Sequence, residues 1–147
     1  MSDLPLTKGR SNARKKVLQA LYQWDLSGNE INDIEVQFHD EQNMEKVDLE
    51  YFHELLHGIP AQVDELDALI LPLLDRNEEH LDPVERAILR LGTYELKHRP
   101  DVPFAVVIGE GIQLSRTFGA DQSHKYINGV LDKLAKQLRP GEVKSKA

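Results

Sequence analysis

The segment H-E-L-L-H, residues 53–57, is the part of this sequence that most resembles an enzyme motif. It satisfies the pattern H-E-x-x-H, in which two histidines one helical turn apart hold a zinc ion and the glutamate serves as general base. A zinc-dependent hydrolase acting through His53, Glu54 and His57 is therefore one hypothesis for the chain.

Three features of the surrounding sequence argue against this hydrolase. Gly58 and Pro60 follow the motif at once and are expected to break its helix. The extended form of the motif requires a third histidine that is missing here, and no strand is predicted that would hold a peptide substrate. A third ligand would have to come from a distant segment, with Glu78, Glu79 and His80 as candidates. We therefore predict no catalytic residue and no metal ligand.

Acyl-transfer and cofactor chemistry are also disfavoured. Ser123 and His124 are adjacent, and neighbouring residues on a helix point about 100° apart, so they do not form a nucleophile–base hydrogen bond. The chain has no cysteine, which excludes disulfides and thiolate metal sites. No phosphate-binding glycine loop is present, and we predict no cofactor.

Charge is distributed unevenly along the chain. Residues 1–16 contain five basic groups and one acidic group, a net charge of +4. Because the whole chain has a net charge of −7, the remaining residues together carry −11. A basic arm on an acidic body favours a local contact with a polyanion such as a nucleic acid. The alternative is a frayed terminus with chance lysines.

Aromatic side chains accompany the basic groups at two places. On a helical wheel, Tyr22 lies about 20° from Lys15 and away from the apolar stripe, where it could stack on an unpaired base or merely cover the edge of the core. Lys125 and Tyr126 share an outer flank of a helix whose N-cap is predicted to be Ser123. Free amides at that helix start would suit a phosphate.

The hydrophobic periodicity is helical nearly throughout, which predicts an all-α fold of about seven helices. Asp82, Pro83 and Glu85 have the spacing of a capping box with proline at the first helical position. No apolar run approaches the ~20 residues that span a bilayer, and no secretory signal is apparent, so we expect a cytoplasmic protein without membrane contact.

Four segments together resemble the NusB family of bacterial transcription antitermination factors, with a collinear match over roughly residues 10–140. The segments are A-R-K-K-V-L-Q-A-L-Y-Q-W-D-L-S, L-D-P-V-E-R-A-I-L-R-L-G-T-Y-E-L, D-V-P-F-A-V-V-I-G-E-G-I-Q-L-S-R-T-F-G and S-H-K-Y-I-N-G-V-L-D-K-L-A-K-Q-L-R-P. The resemblance implies two packed helical subdomains, roughly 10–75 and 76–140. We expect flexible ends at 1–9 and 141–147.

The resemblance also implies function. Members pair with NusE, a small-subunit ribosomal protein, bind single-stranded boxA RNA and help RNA polymerase resist termination on ribosomal RNA operons. Carried over by position, RNA contact is expected at one set of residues and NusE contact at another. The RNA set is Arg10, Arg14, Lys15, Tyr22, Lys125 and Tyr126, and the NusE set is Glu79 and Glu85. The capping-box role of Glu85 could account for that residue without a partner. A protein-interaction scaffold without direct RNA contact is a further alternative.

The sequence departs from the family pattern at two places. Ser11 and Asn12 stand where many relatives have a denser arginine run, which lowers the number of phosphates that the arm can neutralise. Gly109 and Gly111 replace residues that are often N and A in relatives, and each glycine inside a helix costs up to ~1 kcal/mol relative to alanine. The helix that contains them is expected to be softened locally.

Overall fold

The computed structural model describes residues 6–75 and 81–145, and every regular element in these ranges is helical. The prediction of an all-α fold is confirmed, with eight α-helices and one short 3₁₀ turn in the described part of the chain instead of about seven helices. The helices are α1 (Leu6–Ser27), α2 (Ile31–Glu41), α3 (Leu49–Ala61), α4 (Val63–Ile70), α5 (Pro83–His98), α6 (Phe104–Phe118), α7 (Ser123–Leu138) and α8 (Pro140–Ser145), and the 3₁₀ turn covers Leu71–Leu73.

The first three helices form one unit, which ends at Ala61. Its core contains Val17 and Leu21 of α1, Phe38 of α2 and Phe52 of α3, all buried. The rings of Phe38 and Phe52 have centroids 6.0 Å apart and fix α2 against α3. Burying a side chain such as Phe52 contributes about 1.5–3 kcal/mol.

The first helix begins earlier than expected. Residues 6–9, which were assigned to a flexible arm, belong to α1. Gly9 is buried, and its carbonyl accepts a hydrogen bond of 3.0 Å from the amide of Asp48, just before α3. This contact between distant parts of the chain explains why the helix extends beyond the periodic segment.

The second unit begins at Gln62, not near residue 76 as the sequence suggested. Helix α4 packs on α5, since the guanidinium of Arg90 donates to both carboxylate oxygens of Asp67 at 2.8 and 2.9 Å. Lys97 of α5 and Glu65 of α4 form a second charge pair between the same two helices. Charge pairing at long sequence separation, which periodicity does not report, assigns α4 to this unit.

Helix α5 is the centre of the second unit, and it is buried along most of its length. The expected capping box is confirmed: Asp82 accepts from the amide of Glu85 at 2.8 Å, and the Glu85 carboxylate accepts from the amide of Asp82 at 3.3 Å. Helices α6 and α7 pack on α5, and the buried side chain of Leu131 lies against Gly92 of α5 and Gly111 of α6. The small residues therefore let the three helices approach closely.

Arg139, at the end of α7, is buried and anchors the end of the second unit. Its guanidinium donates to the main-chain carbonyls of Glu95, Leu96, Arg99 and Val102 and to the carboxylate of Glu142, at 2.5–3.0 Å. Glu142 lies in α8, within a segment expected to be a flexible tail, and its other oxygen accepts from the amide of Phe104 at 2.8 Å. No helix in the described ranges is both long and apolar enough to traverse a bilayer.

Candidate nucleic-acid interface

One face of α1 is exposed and carries cations in line with an aromatic ring. Lys8, Lys15 and Tyr22 follow each other at intervals of seven residues, which returns close to the same side of a helix and advances ~10.5 Å. All three are exposed, and Tyr22 retains 41% of its surface. The opposite face of α1 packs into the core of the first unit through the buried side chains of Val17 and Leu21. The Tyr22 ring is thus presented to solvent, where it can stack.

Lys15 lies at an open groove that we call the α1 groove, lined by Asn12, Lys15, Lys16, Gln19, Asn43, Lys46 and Val47. Two hydrogen bonds hold its walls together: Asn12 donates to the carbonyl of Lys46, and Lys16 donates to Gln42, both at 2.9 Å. The groove therefore brings cations from α1 and from the loop before α3 around one space. Lys46 was missed by sequence reasoning, because only these long-range contacts place it beside α1.

The two arginines assigned to RNA face another way. Arg14 is only 2% exposed, and its guanidinium lies 5.4 Å from the centroid of the Tyr51 ring. Arg10 lies 4.5 Å from the same ring and 4.0 Å from the carboxylate of Asp48, and it remains part-exposed. Cation–π stacking between α1 and α3 explains both positions. Such burial argues against the direct RNA contact expected at Arg14, because an enclosed guanidinium is not presented to a phosphate.

The start of α7 differs from expectation in its capping. Gln122, in a left-handed conformation with φ 67°, is the N-cap, and Ser123 is the first helical residue. The amides of Ser123 and Lys125 already donate to the carbonyls of Ala120 and Gln122, at 3.1 and 3.2 Å. Two amides of the first turn are therefore engaged within the chain, which weakens the expectation that they hold a phosphate.

Lys125 and Tyr126 nevertheless border a common space. Both line an open groove that we call the α7 groove, together with Leu73, Asp75, Gln122, Gly129, Val130 and Lys133. Lys125 and Lys133 are exposed and Tyr126 is half-buried, whereas His124 is half-buried outside this lining. The α7 groove combines two cations and one aromatic face, with Asp75 as the opposing charge.

Glu85 is held inside the second unit. It is 4% exposed, and besides its capping-box bonds it accepts a hydrogen bond of 2.9 Å from the hydroxyl of Ser123. These contacts join the start of α5 to the start of α7, a positioning role that needs no partner. Glu79, the other residue assigned to NusE contact, lies outside the described residues.

The H-E-x-x-H segment lies on α3, which continues through Pro60 to Ala61 and does not break at Gly58 as expected. Pro60 lacks the amide that would bond to the carbonyl of Leu56, and α3 ends one residue after it. His53 and His57 project to the same side and face Glu35 of α2. Of the third ligands considered from sequence, Glu78, Glu79 and His80 are beyond the described ranges.

Comparison with known proteins agrees over nearly the whole chain. Residues 11–136 match the model of the NusB family. A transcription antitermination protein NusB from Alcanivorax borkumensis is 56% identical over 142 residues, covering 97% of this chain and 95% of that protein. The Legionella pneumophila (strain Corby) protein of the same name is 48% identical over 136 residues, covering 92% of each.

Solved structures agree as well. NusB from T. maritima superposes with a TM-score of 0.80 at 30% identity, covering 92% of this chain and 96% of that one. A chain from a crystal structure of antitermination factors NusB and NusE in complex with dsRNA superposes with a TM-score of 0.75 at 28% identity, covering 87% and 96%. The resemblance seen in the sequence is confirmed, and this chain belongs to the NusB family.

Proposed function

We propose that this protein is a transcription antitermination factor that binds RNA together with NusE. Family membership carries the proposal, since relatives 56% and 48% identical over nearly the full chain are transcription antitermination proteins. A related solved structure pairs NusB with NusE and dsRNA, which supports both RNA and NusE as partners. We propose that the RNA recognised is single-stranded boxA RNA. The protein would then act within the RNA polymerase antitermination complex, in the cytoplasm.

The exposed face of α1 supplies the first proposed contacts. Lys15 borders the α1 groove with Lys16 and Lys46, and Tyr22 presents its ring on the same side of α1. Cations beside a solvent-exposed ring suit single-stranded RNA, because lysines neutralise phosphates while the ring stacks on an unpaired base. Arg10 faces Tyr51 and not this side of α1, but it is part-exposed and stays a proposed RNA contact at the edge of the first unit. Arg14 acts through Tyr51 by positioning α1.

The α7 groove supplies the second set, with Lys125 on phosphate and Tyr126 against a base or ribose. A body that carries net negative charge weakens RNA binding by this chain alone, so we expect strong binding only with NusE. Glu79 remains a proposed NusE contact. Glu85 supports that contact indirectly, by fixing the start of α5.

The experiment is a titration of boxA and scrambled RNA with this protein, with NusE and with their mixture. Tyr22→Ala should weaken boxA binding by ~1–3 kcal/mol, which is about 5- to 150-fold in Kd, while Tyr22→Phe keeps the stacking face and most of the affinity. If Lys15 and Lys125 each neutralise one phosphate, replacing both by Gln should reduce the slope of log K against log salt by about 1.4. Lys144→Gln, at an exposed lysine of α8, is the matched control.

Opposite outcomes are equally definite. Unchanged affinity in Tyr22→Ala, with the helical content intact, would remove Tyr22 from the interface. Equal affinity for boxA and scrambled RNA in the mixture with NusE would refute sequence-specific recognition. No RNA crosslink to this chain in that mixture would favour a protein-interaction scaffold.

A further inference from the structure

A cluster of two histidines and one glutamate joins α2 to α3 in the first unit. His53 and His57 are four residues apart on α3, so they project from the same side one turn apart, with ring centroids 4.2 Å apart. Glu35 of α2 reaches both: its Oε2 lies 2.7 Å from Nδ1 of His53 and its Oε1 lies 2.8 Å from Nε2 of His57. One ligand atom from each residue falls within 4.8 Å of the others.

We propose that Glu35, His53 and His57 form a binding site for Zn²⁺, with water in the fourth position. Two imidazole nitrogens and one carboxylate oxygen are a donor set that zinc takes in proteins. The proposal concerns metal binding alone and is independent of RNA recognition.

The distances are compatible with an ion between the three side chains. Zinc takes its nitrogen and oxygen ligands at ~2.0–2.2 Å, which places tetrahedral ligand atoms ~3.3 Å from each other. The distances of 2.7 and 2.8 Å join His53 and His57 to different oxygens of Glu35, so the carboxylate would turn to offer one oxygen to the ion. The three ligand atoms already lie within 4.8 Å of one another, and they would close to this spacing around the ion. Small rotations of these side chains are enough, because none of the three is fully enclosed.

The present hydrogen bonds prepare the ligands for the ion. Glu35 accepts from the ring nitrogens that face it, and on binding the metal replaces the protons carried there. Burial by itself would raise the pKa of Glu35, but the hydrogen bonds from His57 and His53 and the charges of these rings outweigh it, so its pKa lies below the usual range. The carboxylate is therefore ionised and already aimed at both rings.

Exposure is graded across the cluster in a way that suits entry of an ion. The side chain of Glu35 is 16% exposed, that of His57 31% and that of His53 62%. The inner ligand is thus fixed by packing, while the outer side is open to solvent and leaves room for a water ligand. Magnesium prefers an all-oxygen octahedral shell and is not expected to bind here.

The arrangement differs from the hydrolase weighed for the same segment. The third ligand comes from α2, which precedes the motif, and it ties two helices that also meet where Phe38 and His39 contact Phe52. A bound ion would therefore act as a clip between α2 and α3. Any ligand that binds the folded state alone stabilises it in proportion to occupancy.

The test uses the full chain purified without an affinity tag and treated with a chelator. Titration with ZnCl₂ by calorimetry should give one ion per chain, while MgCl₂ gives none. At a Zn²⁺ concentration a hundred times Kd, the Tm should rise by about 5–10 °C. His53→Gln, His57→Gln and Glu35→Gln should each weaken binding at least about ten-fold and reduce the Tm shift accordingly.

His39→Gln is the matched control, because this imidazole also lies on α2 and stacks edge-on against Phe52, with centroids 6.1 Å apart, but is not part of the cluster. Its Zn²⁺ affinity should equal that of the unmodified chain. Circular dichroism without metal checks that each variant is folded. The proposal would be overturned if each of the three single ligand variants still bound one Zn²⁺ per chain with unchanged affinity, or if the unmodified chain bound no Zn²⁺.

Discussion

Two glycines of α6 that look equivalent in the sequence should respond oppositely to alanine. At Gly109, a Cβ atom would meet nothing within 4 Å, so Gly109→Ala gains the helix propensity of alanine without a new contact. We expect the free energy of unfolding to rise by up to ~1 kcal/mol. Sequence reasoning, which assigned a softening effect to both glycines, applies to this position.

At Gly111, a Cβ atom would lie 2.6 Å from Cδ1 of Leu131, a fully buried side chain of α7. The same gain in propensity is then opposed by overpacking, which costs typically 1–3 kcal/mol. Gly111→Ala should therefore lower the free energy of unfolding by up to ~2 kcal/mol, and it should lie about 1–3 kcal/mol below Gly109→Ala.

The assay is urea denaturation of both variants followed by far-UV circular dichroism, with unchanged m-values as the check on comparability. Leu131→Ala supplies the test of cause, since it removes the atom that the new methyl group meets. In that background, Gly111→Ala should be markedly less destabilising, a coupling that double-mutant cycles measure. Equal stabilisation by the two glycine substitutions in the unmodified chain would refute the reasoning.

Two further predictions concern buried polar contacts of the second unit. Arg139→Ala should lower the free energy of unfolding by ~3–5 kcal/mol in thermal or urea unfolding, because it leaves buried carbonyls and Glu142 without their cation. Arg139→Lys should recover only part of this loss, because an ammonium lacks the planar fork of the guanidinium. A loss below ~1 kcal/mol in the alanine variant would contradict this role. Ser123→Ala removes a hydrogen bond to the buried carboxylate of Glu85 and should lower the free energy of unfolding by ~1.5–3 kcal/mol. The control Thr117→Ala, at an exposed hydroxyl that bonds its own helix, should change this free energy by no more than about 0.5 kcal/mol. Equal effects of the two substitutions would argue against the α5–α7 link.

Local signals in the sequence were sufficient for most of the secondary structure. The capping box at Asp82 and Glu85 was predicted and is confirmed, because turn chemistry acts within a few residues. Gly58 and Pro60 were expected to break the helix directly after the motif, but α3 continues through both residues and ends at Ala61. The residues 140–145 were missed as a helix, because α8 depends on the contacts of Glu142.

The candidate interface was predictable only in part, because exposure depends on tertiary packing. The helical wheel placed Lys15 and Tyr22 on one exposed side of α1, and the structure agrees. The helical wheel did not reveal that the guanidinium of Arg14 packs against Tyr51, 37 residues later in the chain, and is buried there. Lys46 carries no signal of its own and reaches the α1 groove through the bond between its carbonyl and Asn12.

The Arg139 anchor also determines where this fold tolerates sequence change. Four of its five acceptors are main-chain carbonyls, a group that every amino acid supplies. Substitution of the side chains that follow α5, such as Pro100 or Asp101, therefore leaves these acceptors in place. The demand for a particular side chain falls on Arg139 and, for the fifth acceptor, on Glu142, so sequence change in the connecting segment is permitted while positions 139 and 142 are restricted.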